Sequence, residues 1–296
     1  MHPIERLRHV ARAGDVDASL LAEEAAIALG GLAFEPRALV PATRRLLEFH
    51  PSCAPLWWVC AELLAAEEPG EVAYELANRL AQDPTSDQLA AALPGAATLL
   101  TSGGAVLLAG LVERPDLTVR LVAPVQDLRY QLRRLDQAVD ACGFTEDEMD
   151  EALEGVSLAL VEAEAVGPSG VVLARPAAAL ARAAVAAGVE IWVVAGEGRV
   201  LPGPLFEALR ARVGSDRHPG ARTGISRRRV DSDFDAELDG EDPEELERRA
   251  ELGERFVELG SVAVILGPEG PERPEVALAH LRCPVPAELL AGSTGR

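Results

Sequence analysis

Residues 157–195 read SLALVEAEAVGPSGVVLARPAAALARAAVAAGVEIWVVA. The stretch opens on a short apolar run suited to a buried strand and continues through an alanine-rich segment that ends at Gly188. It closes on a second run, 190–195, that is rich in β-branched and aromatic residues. Strand, helix and strand in this order are typical of a βαβ unit, whose two strands are parallel. We therefore predict a parallel sheet with helices packed on its faces.

The same alternation of apolar runs and amphipathic segments extends on both sides of this stretch. Strands are predicted at 96–101, 117–123, 157–161, 190–195 and 261–266, and helices at 105–113, 126–142, 177–187 and 204–213. The fold class that this order indicates is α/β, with a Rossmann-like, doubly wound parallel sheet.

The part of the chain before residue 93 shows no strand pattern. Its apolar residues recur at helical spacing, as in Leu56, Val59 and Leu63. We predict a helical N-terminal domain over 1–92, followed by the Rossmann-like domain over 93–296.

A charged segment interrupts the second predicted domain. Residues 217–229 hold five arginines, and residues 231–258 hold thirteen acidic residues against three arginines. Charge blocks of this kind are usually solvated. We therefore expect a flexible, solvent-exposed insertion at 215–245.

Composition excludes several classes of function. The 48 acidic and 28 basic residues give a formal net charge of −20, which repels nucleic-acid backbones, so no direct binding of nucleic acid is expected. Every basic residue is arginine. Schiff-base chemistry, pyridoxal phosphate attachment and a P-loop lysine are therefore excluded, because each of them needs a lysine.

The four cysteines form no CxxC pair and no zinc-like cluster, so we predict free thiols and no metal or other cofactor. This usage fits a reducing, cytoplasmic location. The N-terminus lacks the apolar core of an export signal, and no apolar run reaches the roughly 18 residues of a membrane helix. We expect neither export nor membrane association.

Three loops at predicted strand ends carry the candidate site residues, because ligands of an open α/β sheet bind beyond the carboxyl ends of its strands. The first loop holds Thr101, Ser102, Gly103 and Gly104, which suit either a phosphate-cradling turn or a plain helix cap. Another loop, after the strand at 190–195, offers Arg199 for an anion.

The remaining loop follows the strand at 157–161. Glu162 and Glu164 stand directly after that strand and share a side if it continues. Glu164 is therefore the candidate general acid or base in the cleft, although a surface carboxylate is the simpler interpretation. Gly167 and Gly170 bound a tight Gly-Pro-Ser-Gly turn and complete the predicted ligand-binding set.

The central block resembles a known family. The run EAEAVGPSGVV at 162–172, the alanine-rich helix and AGVEIWVVA at 187–195 are similar to a stretch of the translation initiation factor 2B and methylthioribose-1-phosphate isomerase family that reads approximately GADAV, a glycine turn, NKIGT, a helix and a strand. ATLLTS at 97–102 resembles the family's ILTH strand, and CPVPAELL at 283–290 resembles its closing segment. The resemblance implies a helical domain before the Rossmann-like one, and a homodimer.

The departures from the family pattern concern its chemistry. The resemblance places the isomerases' cysteine in the Ser102-Gly103-Gly104 loop and their aspartate at Glu164, while their Asn-Lys pair falls on Leu173 and Ala174. A serine lacks the easily ionised thiol, and a glutamate moves the carboxylate by a methylene. We therefore predict a diverged, non-catalytic binding or regulatory subunit that recognises a phosphorylated small molecule, such as a sugar phosphate or nucleotide, or a protein partner.

Two alternatives stay open from the sequence. The first is an aldose-ketose isomerase of a sugar 1-phosphate, such as methylthioribose-1-phosphate or ribose-1,5-bisphosphate, with Glu164 and Ser102 as catalytic residues and the glycines of the Ser102 loop holding phosphate. The second is an interaction protein whose acidic insertion recruits a partner.

Overall fold

The computed structural model describes residues 5, 6, 10, 17–32, 36–135, 138–213 and 253–290. The charged insertion predicted at 215–245 lies outside these residues.

The N-terminal part is helical, as predicted. It comprises α1 (Ala18–Gly30), α2 (Pro36–Phe49), α3 (Ala54–Ala65), α4 (Pro69–Ala81) and α5 (Thr85–Ala92). Local chemistry explains where these helices begin. The Asp17 carboxylate accepts hydrogen bonds from the backbone N–H groups of Ser19 and Leu20 at 2.9 and 3.2 Å, which caps α1. Proline stands at the start of both α3 and α4, where its missing N–H costs little.

Helices and strands alternate after residue 97. The strands are β1 (Thr98–Thr101), β2 (Thr118–Val122), β3 (Asp140–Phe144), β4 (Leu158–Gly167), β5 (Gly170–Leu173), β6 (Ile191–Val194), β7 (Phe256–Glu258), β8 (Val264–Gly267) and β9 (Gly270–Glu272). The helices are α6 (Ala105–Val112), α7 (Val125–Leu135), α8 (Met149–Leu153), α9 (Arg175–Ala187), α10 (Gly203–Val213), α11 (Pro274–Ala279) and α12 (Ala287–Leu290). The predicted α/β class is therefore confirmed.

The main sheet has the strand order β3-β2-β1-β4-β6-β8-β9. The pairs from β3 through β8 are all parallel, and β9 returns antiparallel to β8 through a short hairpin. The central strands are apolar and almost fully buried, as expected where helices cover both faces. Gly188 ends α9 in the left-handed conformation at φ 70°, as the sequence indicates.

One predicted helix is shorter than its pattern indicates. The leucine periodicity predicts a helix over 126–142, but α7 ends at Leu135 and residues from Asp140 form β3, with Cys142 in the strand. Each residue of β3 pairs with β2 in parallel register, from Thr118 with Asp140 onwards. A local periodicity cannot include this pairing, because the partner strand lies about twenty residues earlier in the chain.

A second correction concerns the strand at 157–161, which the sequence predicts to end before Glu162. Strand β4 instead runs to Gly167 and turns through a hairpin into β5, which also pairs with β7. The backbone groups that a loop would leave to solvent are here satisfied by antiparallel pairing, with a register shift between Ala163 and Ala165. The two glutamates therefore lie within a strand.

The helical part and the sheet share one hydrophobic core. Trp57 of α3 is fully buried in the same cluster as Phe206 and Leu209 of α10 and Val172 of β5. At the connection between the two parts, the Arg114 guanidinium donates to the carbonyls of Ala90 and Leu93 at 2.9 and 2.7 Å. The predicted boundary at residue 92 thus separates two kinds of secondary structure that pack together.

No helix in the described ranges has the length and apolar character needed to cross a membrane.

Three of the four thiols occur in clearly different environments, which predicts their order of reaction with iodoacetamide. Cys142 is exposed, whereas Cys53 and Cys60 are buried. Burial raises the pKa of Cys53 to about 12 and raises that of Cys60 further, so neither forms the reactive thiolate at pH 8. We expect Cys142 to be alkylated first, and Cys53 and Cys60 only on unfolding. Mass spectrometry of native and guanidinium-treated protein checks this, and rapid labelling of either buried thiol in native protein would contradict it.

Candidate functional site

The candidate site lies where the strand order reverses. From β1 the chain adds β2 and β3 on one side of the sheet, and later strands are added on the other side through β4. The connections that follow β1 and β4 therefore lead towards opposite sides of the sheet, which leaves a crevice between them. In doubly wound sheets, this topological switch point is where ligands bind.

A cavity of about 280 Å³ occupies this crevice. The structure brings six of the predicted site residues to its wall, contributed by the ends of three strands: Ser102, Gly103, Gly104, Glu162, Glu164 and Arg199. Ala174 and Pro176, from the start of α9, line the cavity from another side. Residues from three separate loops of the sequence therefore surround one space.

Glu162 lies at the N-terminus of α6. Its Oε2 accepts hydrogen bonds from the backbone N–H groups of Val106 and Leu107 at 3.1 and 3.2 Å. These N–H groups have no partner within the helix and carry the positive end of its dipole, so a carboxylate there is stabilised. Gly104, at φ 132°, makes the approach possible, since a Cβ at this position would overlap the glutamate side chain.

Arg199 holds the other oxygen of the same carboxylate. Its Nη2 lies 3.0 Å from Glu162 Oε1, and the two side chains are only 6% and 11% exposed. Nη1 donates to the carbonyl of Ala163, while Nε is buried without a hydrogen-bond partner among the described residues. The segment that carries Arg199 is held against β4 by backbone hydrogen bonds, in which Val166 donates to the Arg199 carbonyl and accepts from the Leu201 N–H. Arg199 thus lies at the centre of the site.

Glu164 faces a different arginine. Its Oε2 pairs with Nη2 of Arg255, whose Nε donates to the carbonyl of Leu173 at 3.2 Å. Both side chains are largely buried, at 30% and 10% exposed. Arg255 is not among the site residues predicted from the sequence, because it stands far along the chain in the acidic stretch. Its only signal was that it is one of three arginines among the thirteen acidic residues of 231–258.

Three other predicted site residues lie away from the cavity wall. Thr101 is fully buried, and its Oγ1 accepts a hydrogen bond from the Gly103 N–H at 3.1 Å. This bond stabilises the conformation of the Ser102-Gly103-Gly104 loop. A Cβ on Gly167 would overlap the Phe206 ring, and one on Gly170 would overlap Phe256. The two glycines therefore permit aromatic packing around the β4–β5 hairpin, and their predicted role at a ligand stays a prediction.

Helix α7 supplies two lining residues that the sequence analysis did not single out, Asp127 and Gln131. They are four residues apart and so share a helix face, which is the signal that could have identified them. Gln131 Oε1 is buried and has no hydrogen-bond partner in the described part of the chain. An amide in this state is available to a ligand.

A larger cavity, of about 580 Å³, lies beyond the ends of β6 and β8. Trp58, Glu62 and Arg79 of the helical part also line it. Arg79 crosses it from α4, stacking 4.8 Å above the Trp58 ring and bonding to Glu197 at 2.6 Å. Burial raises the pKa of Glu197, an effect that Arg79 opposes. The smaller cavity is the better candidate, because it lies at the switch point of the sheet, where ligands of doubly wound folds bind.

The ranges that the structure describes contain no group of three or more His, Cys, Asp or Glu side chains able to hold an ion.

No protein-family model matches the sequence. No curated protein matches it either.

Solved structures do match the fold. The tetrameric eIF2B-beta2-delta2 complex from Chaetomium thermophilum contains a chain with a TM-score of 0.67 and 16% identity, covering 94% of this chain and 92% of that one. For eIF2B beta from the same organism, the TM-score is 0.64 at 14% identity, with 92% and 88% covered. For 5-methylthioribose 1-phosphate isomerase from Pyrococcus horikoshii OT3, it is 0.52 at 13% identity, with 95% and 88% covered. The resemblance drawn from the sequence is confirmed at the level of fold.

Proposed function

We propose that this chain is a diverged, non-catalytic member of the translation initiation factor 2B and methylthioribose-1-phosphate isomerase family that acts in the cytoplasm as a binding or regulatory subunit. One observation carries the proposal. Both glutamates of β4 are paired with buried arginines, Glu162 with Arg199 and Glu164 with Arg255. A carboxylate held in such an ion pair is engaged by the protein's own guanidinium and is not free to exchange a proton with a substrate.

The rest of the cavity wall supports the same reading. Interconversion of an aldose and a ketose requires groups that remove a proton from one carbon and deliver it elsewhere. The described lining residues include no cysteine and no histidine. The loop after β1 offers the Ser102 hydroxyl. None of the hydrogen bonds described for this loop joins that hydroxyl to a side chain that could act as a base. A hydroxyl without such a partner is a weak nucleophile.

Association with a protein is the binding role that we favour. The eIF2B beta and delta chains of similar fold form a tetrameric complex, as the name of that structure states. By analogy, we propose that the present chain pairs with a second copy of itself or with a related subunit. The phosphorylated small molecule considered from the sequence is less favoured, because Glu162 already occupies the donors at the start of α6.

A turnover assay tests the proposal. Purified protein is incubated with methylthioribose-1-phosphate and, separately, with ribose-1,5-bisphosphate, and the ketose product is followed by NMR. We expect no product above the protein-free control, because both glutamates of β4 are engaged in ion pairs with arginines. Size-exclusion chromatography with light scattering is expected to show a mass of twice the 31.3 kDa chain for a homodimer.

Clear turnover of either sugar phosphate would overturn the non-catalytic assignment. The Glu164→Gln variant then separates the alternatives. If Glu164 acts as the acid or base of an isomerase, its amide should lower kcat by about 10²–10⁴-fold. An unchanged kcat in this variant would exclude that role for Glu164.

A further inference from the structure

We propose that Glu162 is a built-in occupant of an anion site, and that the wild-type cavity consequently excludes phosphate. Three donors meet the Glu162 carboxylate. They are the backbone N–H groups of Val106 and Leu107 on Oε2 and the Arg199 guanidinium on Oε1. A helix N-terminus combined with an arginine is the donor set that proteins use for phosphate oxygens.

The Arg199 guanidinium has donor capacity beyond its contact with Glu162. Arg199 is 5% exposed, and a buried cation of this kind requires an anion beside it. Its Nε is buried without a hydrogen-bond partner in the described residues, so the guanidinium has more donor capacity than Glu162 and the Ala163 carbonyl use. A tetrahedral anion presents more acceptor oxygens than a carboxylate does.

Space and backbone geometry fit the same interpretation. Glu162 fills the volume directly above Gly104, where no Cβ fits, and the open cavity of about 280 Å³ begins beside it. Truncation of Glu162 at Cβ removes a group almost as large as phosphate. The vacated space would then open onto the cavity. The two α6 N–H groups and the Arg199 guanidinium would still line that space.

Wild-type protein should therefore neither bind nor be stabilised by phosphate at this site. Two negative groups cannot share the same donors, because like charges this close repel strongly. The inference concerns the same cavity as the proposed function and explains why a phosphorylated ligand is disfavoured there. The two ideas fail separately, because occupancy by Glu162 is tested with inorganic phosphate and catalysis with sugar-phosphate turnover.

The experiment is a gain of binding. Wild-type protein, Glu162→Ala and Glu162→Gln are titrated with sodium phosphate at constant ionic strength, and thermal unfolding is followed. We expect no shift for the wild type and a rise of about 4 °C for Glu162→Ala at a phosphate concentration a hundredfold above its Kd. Glu162→Gln is the matched control, because it removes the charge but keeps the volume, and it should not respond.

The site of binding is checked with Arg199→Met in the Glu162→Ala background, which should abolish the response to phosphate. If Glu162→Ala does not fold, Glu162→Ser is the second variant, since its hydroxyl leaves the space largely open. Phosphate stabilisation of the wild type equal to that of the truncated variant would overturn the proposal. So would a folded truncated variant without any response, or a response that persists without Arg199.

Discussion

Replacing Arg199 by methionine is expected to lower the free energy of unfolding by about 3–5 kcal/mol. The substitution leaves the Glu162 carboxylate, 11% exposed, without the guanidinium that lies 3.0 Å away. It also leaves the Ala163 carbonyl without its side-chain donor. Methionine keeps much of the apolar stem of the arginine, so the loss reports mainly on the uncompensated charge. Urea denaturation followed by circular dichroism measures it.

Two comparisons make this result specific to the buried pair. In Glu162→Met/Arg199→Met no isolated charge remains, so the double variant should lose less stability than Arg199→Met alone. Arg6 pairs with Glu24 at 31% and 42% side-chain exposure, and Arg6→Met should cost less than about 1 kcal/mol. If Arg199→Met lowered the free energy of unfolding no more than Arg6→Met does, the Glu162–Arg199 pair could not be buried as described.

The second large effect is expected at Trp57. Its replacement by alanine should lower the free energy of unfolding by about 3–5 kcal/mol, because a fully buried indole leaves a large cavity. The substitution also removes the hydrogen bond from Nε1 to the Pro51 carbonyl at 2.9 Å. Arg212 lies on α10, and its guanidinium stacks 4.7 Å from the centre of the Trp57 ring. The substitution removes this stacking partner. Denaturant unfolding, monitored by far-UV circular dichroism, measures the change.

Trp57→Phe and Tyr74→Ala serve as the controls. Phenylalanine fills part of the volume and should recover a substantial share of the loss. Tyr74 lies in the same helical part but is 77% exposed, so its removal should change stability by about 0.5 kcal/mol or less. A Trp57→Ala variant as stable as Tyr74→Ala would contradict the shared core between the helical part and the sheet.

Much of the fold was predictable because it follows from local patterns. The apolar runs of β1, β2, β6 and β8 and the alanine-rich helix α9 with its closing Gly188 all carry their signals within a few residues. The same holds for the loop glycines beside Ser102. These local features predicted an α/β sheet and the strand ends at which candidate residues would lie.

The errors came where a distant strand decides the conformation. Residues 140–144 form β3 because β2 offers a parallel edge, and β4 continues past Glu162 because β5 pairs with it. The leucine spacing before Cys142 and the two carboxylates after Val161 gave no sign of these partners. The close packing of Gly167 and Gly170 against two phenylalanines from later in the chain likewise had no local signal.

The sequence by itself therefore determined the composition of the site: an arginine-only cationic set, two glutamates after one strand, a Ser-Gly-Gly loop and no family thiol at that loop. Only the tertiary structure decided which charges neutralise one another. Glu162 meets Arg199 and the start of α6, and Glu164 meets Arg255 from the far end of an acidic stretch. Glu162 and Arg199 are 37 residues apart in the sequence, and Glu164 and Arg255 are 91 apart. The α6 N–H groups that bind Glu162 are more than 50 residues away from it. The physical reason is that ion pairing depends on distance in space and on burial, and both are set by how the strands and helices pack.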